Sequence, residues 1–396
     1  MSYNFHFPNS NITMKRSIII LFLLLTIPRL FAQIERNVIT TASPFLLIAP
    51  DARAGAMGDI GIATSPDANS YHYNVAKYAF LESDIAIGIN YTPWLRQLTN
   101  DVFKGTLRFA RALDEQSAWS VGLDYFSMGR IETNEGQFDN QNNLISTGIE
   151  NPFDLAISGS YSMKLSESFA LGVGLRYLHS DYAIRSANSE IQTVNSFAVD
   201  VSGYFESEEK NYGSFNGIWR GGFNISNLGP KVELVVGGDK SFIPTNLKLG
   251  GGFEFVLDDL NSITTNLEFN KLLVPTPSEP IMNGEDKIIG YAQKDTGFLA
   301  GVFQSFGDAP GGFSEELKEF TWALGAEYMY DRTIALRAGY FNEDDYKGGR
   351  KYFTMGAGFK FRNSIIDLSY LLNASDVTNP LENTLRFTFR LNFGNH

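Results

Sequence analysis

Leu385-Arg386-Phe387-Thr388-Phe389-Arg390-Leu391-Asn392-Phe393 is the stretch that decides the fold, because apolar and polar residues alternate strictly along it. In a β-strand, successive side chains point to opposite faces, so this segment has one apolar face and one polar, partly charged face. A soluble β-sandwich alternates in the same way. Length separates the two classes: segments of about 9 to 11 residues match a tilted membrane crossing, whereas soluble strands usually have about 5 to 6 residues. The segment therefore predicts a strand of a membrane barrel.

The same alternation recurs along the chain from residue 85 onward. Charged residues occupy the opposite positions, and Tyr or Trp lies near many segment ends, a pattern typical of an outer-membrane barrel with an apolar band, aromatic girdles and a polar lumen. The predicted apolar faces begin at Ile85, Phe103, Trp119, Leu155, Phe169, Phe197, Trp219, Leu247, Ile263, Trp322, Ile334, Phe353, Ile366 and Leu385.

Residues 297–306 form a possible fifteenth strand, and strand parity tests it. Bacterial barrels have an even number of strands, short periplasmic turns and long external loops. The short connection at Asp331-Arg332 and the long one from Asn342 to Lys351 orient the C-terminal strands. The simplest solution makes Leu272 to Glu319 one external loop with a short helix at Ser314 to Phe320. We therefore predict an all-β barrel of 14 antiparallel strands over residues 85–396.

Composition and charge exclude several classes of protein. The chain has no Cys, which removes disulfides, thiolate metal sites and a Cys nucleophile. Its formal net charge is −12, which argues against a nucleic-acid partner. Mean hydropathy is −0.13, an average that by itself resembles a soluble protein.

Residues 1–32 read as a secretory signal peptide. Met14-Lys15-Arg16 precedes an apolar run from Ser17 to Ile27, and cleavage is expected between Ala32 and Gln33. A run of about 11 apolar residues is too short to span a membrane core that needs about 20. Translation starts at either Met1 or Met14.

Residues 33–84 do not alternate, and they are rich in small residues, Pro and Gly. Phe45 to Ile48 is too apolar to be left in water, so this segment is predicted to fill the barrel lumen as a plug. The spacing Gly55-x-x-Gly58-x-x-Gly61 resembles a phosphate loop, but no preceding buried strand or Gly-Lys-Ser/Thr accompanies it.

Candidate chemistry is sparse. Among the His residues, His72, His179 and His396 lack a partner spaced for a metal pair, and no hydrolase motif is present. We expect no catalytic, metal or cofactor site, and no enzymatic activity. The carboxylates expected in the lumen, Asp200, Glu254, Glu268 and Glu327, should pair with Arg176, Arg220 or Arg337.

The N-terminal run from Ser43 to Asp59, followed by Ala63 to Asn69 and Asn74-Val75-Ala76-Lys77, resembles the PorV (LptO) family of outer-membrane proteins. The residues from Leu324 to Tyr328, from Leu336 to Tyr340 and from Pro244 to Gly250 resemble the wider FadL-like group. The resemblance implies a FadL-like barrel of 14 strands with an N-terminal plug. Within the plug, the residues that carry the likeness are Pro44, Phe45, Pro50, Asp51, Arg53, Gly55, Gly58 and Asp59.

The same resemblance implies a function in the type IX secretion system of a Gram-negative bacterium of the Bacteroidota. The protein would bind secreted clients by their C-terminal signal domain at the translocon barrel and shuttle them to the surface sortase or attachment complex. Its other partner would be outer-membrane lipid. The external loops from Met128 to Pro152 and from Leu272 to Glu319 should carry the client contact. A FadL-like channel for hydrophobic small molecules is the alternative.

Overall fold

The structure is a computed structural model. It describes residues 36–95, 99–133, 141, 148–182, 185–186, 189–190, 193–282, 288–292, 294–375 and 382–394. The expected signal peptide, with Ala32 and Gln33, and the C-terminal His396 lie outside the described residues.

Fourteen long strands form one antiparallel sheet that closes on itself, which confirms the predicted fold class. Each strand pairs with its neighbours in sequence, and β1 pairs with β14 from Ile85 opposite Phe393 to Tyr91 opposite Phe387. Closure leaves no exposed sheet edge, so the backbone groups of every strand find partners. The strands are β1 (Ile85–Pro93), β2 (Val102–Ala112), β3 (Ser117–Met128), β4 (Phe153–Ser166), β5 (Phe169–Asp181), β6 (Val194–Glu206), β7 (Asn216–Leu228), β8 (Asn246–Val256), β9 (Asn261–Leu272), β10 (Thr321–Tyr330), β11 (Ile334–Asn342), β12 (Lys351–Phe361), β13 (Ser364–Asn373) and β14 (Leu385–Phe393).

The two ends of the barrel differ in the length of their connections. At one end the turns are short apart from 207–215, and Asp331 and Arg332 both have positive φ, which matches the right-handed twist of the flanking strands in a tight hairpin. At the other end the connections are long, and they include 129–152, 229–245 and 273–320. Within the described residues the connections carry four small two-stranded sheets and one additional short strand: Ile131–Thr133 with Gly148–Glu150, Arg185–Ser186 with Ser189–Glu190, Val232–Glu233 with Lys240–Ser241, Glu279–Met282 with Ile288–Ala292, and Lys210–Asn211 beside the start of β7.

The helices are short, and they occur in the segments that precede or connect the wall strands. They are α1 (Ala52–Gly55), α2 (Phe298–Gln304) and α3 (Phe313–Lys318), with 3-10 turns at Pro44–Leu47, Ser70–His72 and Val75–Phe80. Residues 298–304 are thus helical, so the possible fifteenth strand is absent at that position, and α3 begins one residue before the helix expected at Ser314. None of these helices is long and apolar enough to cross a bilayer.

The two faces of the wall have opposite chemistry. Leu171, Val173 and Leu175 on β5 are exposed on the outer face, whereas Arg176, one position on, is buried inside. The inner face is buried because residues 36–84, here called the inner segment, lie within the barrel. Wall glycines allow close approach on opposite sides: a Cβ on Gly172 would lie 2.7 Å from Ala76 N, and one on Gly325 would lie 2.6 Å from Met57 O.

Candidate functional site

The first part of the inner segment packs against the wall in a hydrophobic cluster, near the end of the barrel with long connections. Phe45 and Leu46 are buried in a cluster with Phe126 and Leu178 of the wall, and the Phe45 and Phe126 rings stack 6.3 Å apart. Pro44 begins the 3-10 turn that orients them. Lys104 of β2 donates to the carbonyls of Phe45, at 3.0 Å, and Ile48, at 2.7 Å. An apolar cluster and a buried ammonium therefore hold the same turn.

Helix α1 begins at a double anchor. The Asp51 carboxylate accepts from Ala54 N at 2.9 Å and from the Tyr73 hydroxyl at 2.8 Å. Burial raises the pKa of Asp51, and the nearby Asp67 raises it further. The preceding carbonyl, that of Pro50, accepts from Thr92 Oγ1 on β1 at 3.1 Å. The N-cap thus fastens the helix to another part of the segment and to the wall.

A closed ring of alternating charges joins the inner segment to the barrel. Arg53 and Asp67 come from the segment, and the other four side chains come from β10, β11, β13 and β14. Three guanidinium groups and three carboxylates make the ring electrically neutral, and each member is largely buried. Its contacts are Arg53–Glu327 at 2.9 Å, Glu327–Arg337 at 2.5 Å, Arg337–Asp367 at 2.8 Å, Asp367–Arg390 at 2.7 Å, Arg390–Asp67 at 3.2 Å and Asp67–Arg53 at 3.1 Å.

The ring works as a unit because each charge has two opposite neighbours. Burial alone would raise the pKa of Asp67, but Arg390 and Arg53 outweigh it and lower the pKa to about 2. Loss of one member would leave two largely buried like charges facing each other, which is far more costly than loss of a surface pair. The ring therefore resists removal of the segment from the lumen.

The turn after α1 requires residues of unusual backbone geometry. Gly58 has φ +76°, and its N–H donates to Thr354 Oγ1 at 2.8 Å. Asp59 also has positive φ, and its carboxylate pairs with Arg386 and accepts from the Tyr352 hydroxyl at 2.7 Å. A Cβ on Gly55, in α1, would meet the Arg386 guanidinium and lie 3.0 Å from Ser369 Oγ, so a side chain there would have to displace the partner of Asp59.

Lys77 and Glu268 hold the middle of the inner segment. Lys77 Nζ donates to Gly61 O at 3.0 Å and to Thr64 Oγ1 at 2.9 Å, and burial lowers its pKa to about 8. Glu268 Oε2 on β9 accepts from the backbone N–H groups of Gly61 and Ile62 at 2.8 and 3.0 Å. A carboxylate of the wall thus accepts hydrogen bonds from the backbone of the inner segment.

The wall carboxylates form most of the expected pairs. Asp200 pairs with Arg176 at 3.0 Å, Glu254 with Arg220 at 2.6 Å and Glu327 with Arg337 at 2.5 Å. The expectation of an arginine partner for Glu268 is wrong, because its nearest cation is Lys248, at 3.9 Å, and its hydrogen bonds go to the inner segment.

A cavity of about 600 Å³ lies between the inner segment and the wall. Lys347 and Gly348 of the connection between β11 and β12 line it, so it lies at the end with long connections. Ile39, Leu46 and Leu47 contribute an apolar side, while Arg176, Lys248 and Asn270 contribute a polar one. The cavity has the mixed lining of a site for an amphiphilic ligand.

The long connection 273–320 is tied to the barrel rim by buried ion pairs. Lys347 contacts Glu315 at 2.5 Å and Glu319 at 3.0 Å, while Lys271 contacts Glu316 at 3.2 Å and also pairs with Glu319. Burial would raise the pKa of Glu315, but hydrogen bonds from Lys347 and Gly311 lower it below its ordinary value. Helix α3 is therefore held against the barrel.

No group of three metal-ligating side chains occurs among the described residues. His179 is at the end of β5, with its Nδ1 2.9 Å from Asn195 Oδ1. His72 is half-buried beside Tyr73, and desolvation together with the nearby Lys104 lowers its pKa.

The expected plug residues all belong to the contacts just described, while Ala32 and Gln33 fall outside the described residues. Sequence analysis paired Glu327 with Arg337 but predicted no ion-pair partner for Asp67, Asp367 or Arg390, and it did not identify Lys77 as an anchor. A usable signal existed for two of them: Asp367 and Arg390 occupy polar positions of their strands, which place them on the lumen face.

Comparison with known proteins gives one family and a group of structures. The family model described as type IX secretion system protein PorV matches residues 31–279. A search of curated proteins found no match.

Several solved structures are similar to this chain. A FadL homologue of Pseudomonas aeruginosa is 11% identical with a TM-score of 0.44, covering 90% of this chain and 100% of its own. The Pseudomonas putida toluene transporter TodX is 10% identical with a TM-score of 0.48, covering 85% and 95%. The CymD monoaromatic hydrocarbon channel is 12% identical with a TM-score of 0.49, covering 88% and 99%. At these sequence identities and TM-scores, the similarity does not indicate an activity for this chain.

Proposed function

Because the chain belongs to the PorV family of type IX secretion system proteins and folds as an outer-membrane β-barrel, we propose that it binds secreted proteins by their C-terminal signal domain. It receives them at the translocon and passes them to the surface attachment complex. This role needs binding alone and no catalytic step.

The observation that carries the proposal is the closed charge ring that joins the inner segment to strands β10, β11, β13 and β14. A barrel used for passage needs a lumen that opens, whereas Arg53 and Asp67 hold the inner segment through buried pairs with both Glu327 and Arg390. Opening would separate several buried charges at once, at a cost of several kcal/mol. The inner segment thus acts as a fixed plug, and clients are handled at the external surface.

Client proteins contact the external connections, which are not part of the barrel wall. The paired strands Glu279–Met282 and Ile288–Ala292 belong to the connection 273–320, and the paired strands Ile131–Thr133 and Gly148–Glu150 belong to the connection 129–152. Ile281 and Met282 are exposed on the first of these hairpins. Exposed apolar residues on a structured hairpin suit recognition of a folded domain.

Affinity purification from outer membranes tests the proposal. An affinity tag inserted at Gly237, a position with open space around it, leaves the barrel intact. We expect co-purification of a translocon barrel and of proteins with C-terminal signal domains. Recovery of lipid with no protein partner would overturn the proposal.

A matched variant sharpens this experiment. Replacing residues 279–292 with a short Gly-Ser linker removes the hairpin and leaves the tethering ion pairs of Glu315, Glu316 and Glu319 in place. We expect this variant to lose client proteins while its abundance in the outer membrane stays unchanged. Retention of clients would assign their binding elsewhere.

A FadL-like channel for hydrophobic small molecules is the second candidate, and the cavity at the long-connection end favours it. Its amphiphilic lining would accept a molecule with an apolar body and a polar head. Deleting the gene separates the two functions: loss of surface-attached proteins with normal uptake of fatty acids supports client delivery, and the reverse result supports a channel.

A further inference from the structure

The external connection 273–320 exposes an unusual apolar surface. Five large apolar side chains on and between α2 and α3 are exposed to 50% or more: Leu299 at 65%, Phe303 at 77%, Phe306 at 50%, Phe313 at 76% and Leu317 at 56%. Three of the five are phenylalanines. Contiguous exposed apolar surface of this kind marks a contact with a membrane or another molecule.

The acidic residues of the same stretch face the other way. On and between α2 and α3 the carboxylates are Asp308, Glu315 and Glu316, and none of them is exposed, whereas Lys318, the last residue of α3, is exposed. Glu315 and Glu316 are bound by Lys347 and Lys271. A loop surrounded by water would expose its carboxylates and bury its phenylalanines, so the outer surface of residues 297–317 is suited to an apolar environment.

Rotation of the helices cannot bury this surface without breaking the tether. Glu315 also accepts from Gly311 N at 2.7 Å, and Glu316 accepts from Ala309 N at 2.8 Å. Asn37 Nδ2 of the inner segment donates to Glu315 Oε1 at 3.1 Å. The apolar side chains are therefore presented outward by a fixed support.

The surface continues the lipid-facing wall of the barrel. On β9, Leu267 and Phe269 are exposed on the outer face, and Lys271 follows them on that face by strand alternation. Lys271 Nζ lies 6.0 Å from the centre of the Phe306 ring. Phe306 thus lies beside the buried Lys271 side chain at the external end of β9, two residues beyond the exposed Phe269.

We propose that residues 297–317 form an interfacial anchor, with α2 and α3 lying in the outer leaflet of the membrane and their exposed apolar side chains inserted among its acyl chains. A helical segment that borders the lipid-exposed wall, with an exposed face that is apolar up to a single terminal lysine, Lys318, has the chemistry of such an anchor, because a lysine side chain can reach from an apolar surface to the headgroups. It holds the rim of the barrel between β9 and β10 at a fixed depth. The inference does not depend on the proposed function.

Single cysteines can test this anchor, because the chain has no native Cys. Phe303→Cys and Phe313→Cys are labelled with an environment-sensitive fluorophore, and the full chain is reconstituted in phosphatidylcholine vesicles with brominated acyl chains. Leu324→Cys, on the outer face of β10, is the reference inside the membrane, and Asp239→Cys, exposed in connection 229–245, is the aqueous reference.

We expect both helix labels to be quenched by brominated lipid to within about twofold of the Leu324 label, and to be shielded from aqueous iodide. Quenching by iodide as strong as at Asp239 would overturn the proposal. If the labels are exposed in vesicles but protected in native outer membranes, a protein partner covers the surface, and the lipid anchor is likewise overturned. Heat-modifiable gel migration verifies that each labelled variant has folded.

Discussion

At Asp67 a single carboxylate oxygen is shared by two arginines from distant parts of the chain. Oδ2 lies 3.1 Å from Arg53 Nη1 and 3.2 Å from Arg390 Nη1. One of these arginines belongs to the inner segment and the other to the last strand. A single residue thus links the beginning and the end of the folded chain.

Asp67 makes stability depend on pH in a defined window. Its pKa is about 2 in the folded chain against an ordinary value of 3.8, so its contribution is fully present above pH 3.8 and is lost as the pH falls towards 2. A shift of this size corresponds to on the order of 2 kcal/mol. We expect the difference in unfolding free energy between wild type and Asp67→Asn to shrink across this window. Urea unfolding in lipid vesicles at a series of pH values measures it, and a constant difference would contradict the assignment.

Comparing Gly58 with Gly237 separates two costs of adding a side chain: the strain of a positive φ and the steric contact with neighbouring atoms. Gly58 has φ +76°, and an added Cβ would lie 2.9 Å from Tyr340 O, whereas Gly237 has a similar φ, +73°, with nothing near an added Cβ. Gly58→Ala should therefore lower the unfolding free energy by at least about 1 kcal/mol more than Gly237→Ala. Equal effects of the two substitutions in urea unfolding would show that the contact with Tyr340 does not constrain the turn.

The inner segment and the wall are stabilised in different ways, and ion pairs connect them. The wall is held by its ladder of backbone hydrogen bonds, which depends little on side chains. The inner segment has no long element of its own, because α1 is four residues long and its turns are 3-10 turns. Its conformation depends on side-chain anchors supplied by the wall.

Glu327→Gln should loosen the inner segment without opening the sheet. The substitution leaves Arg53 and Arg337 facing each other without their shared carboxylate, at an expected cost of about 3 kcal/mol. Glu254→Gln is the matched control, because Glu254 is more exposed and its partner Arg220 keeps a second carboxylate, Glu206. We expect faster hydrogen exchange in residues 50–70 for Glu327→Gln alone. Similar exchange in both variants would argue against the ring as the main fastening.

The whole molecule is a closed barrel with an occupied lumen and unequal ends. Short turns and long connections segregate to opposite ends, as expected when one end faces the periplasm and the other the exterior. The outer apolar face and the buried polar face give an average hydropathy near zero. That average explains why bulk composition resembles a soluble protein.

Electrical measurements test the state of the lumen at this scale. We expect wild-type protein in planar bilayers to show no steady ionic conductance, because the inner segment crosses the lumen. Glu327→Gln combined with Asp67→Asn should conduct at least intermittently, since it removes two of the three carboxylates of the ring. Glu254→Gln is again the control. Stable open channels in the wild type would contradict a fixed plug.

Strand number, strand boundaries and the two faces of the wall follow from the sequence by itself, because side-chain direction in a strand depends only on local position. Alternation from Ile85 to Phe393 therefore predicted the closed barrel and the lumen position of Glu327 and Asp367. The partners of those charges are decided by tertiary structure, since Arg53 meets Glu327 across 274 positions of the chain. The same holds for α2 and α3: their apolar residues are visible in sequence, but only the buried pairs of Lys271 and Lys347 determine which side faces outward. Local geometry determines the first kind of information, and electrostatic complementarity between buried charges that are distant in the chain determines the second.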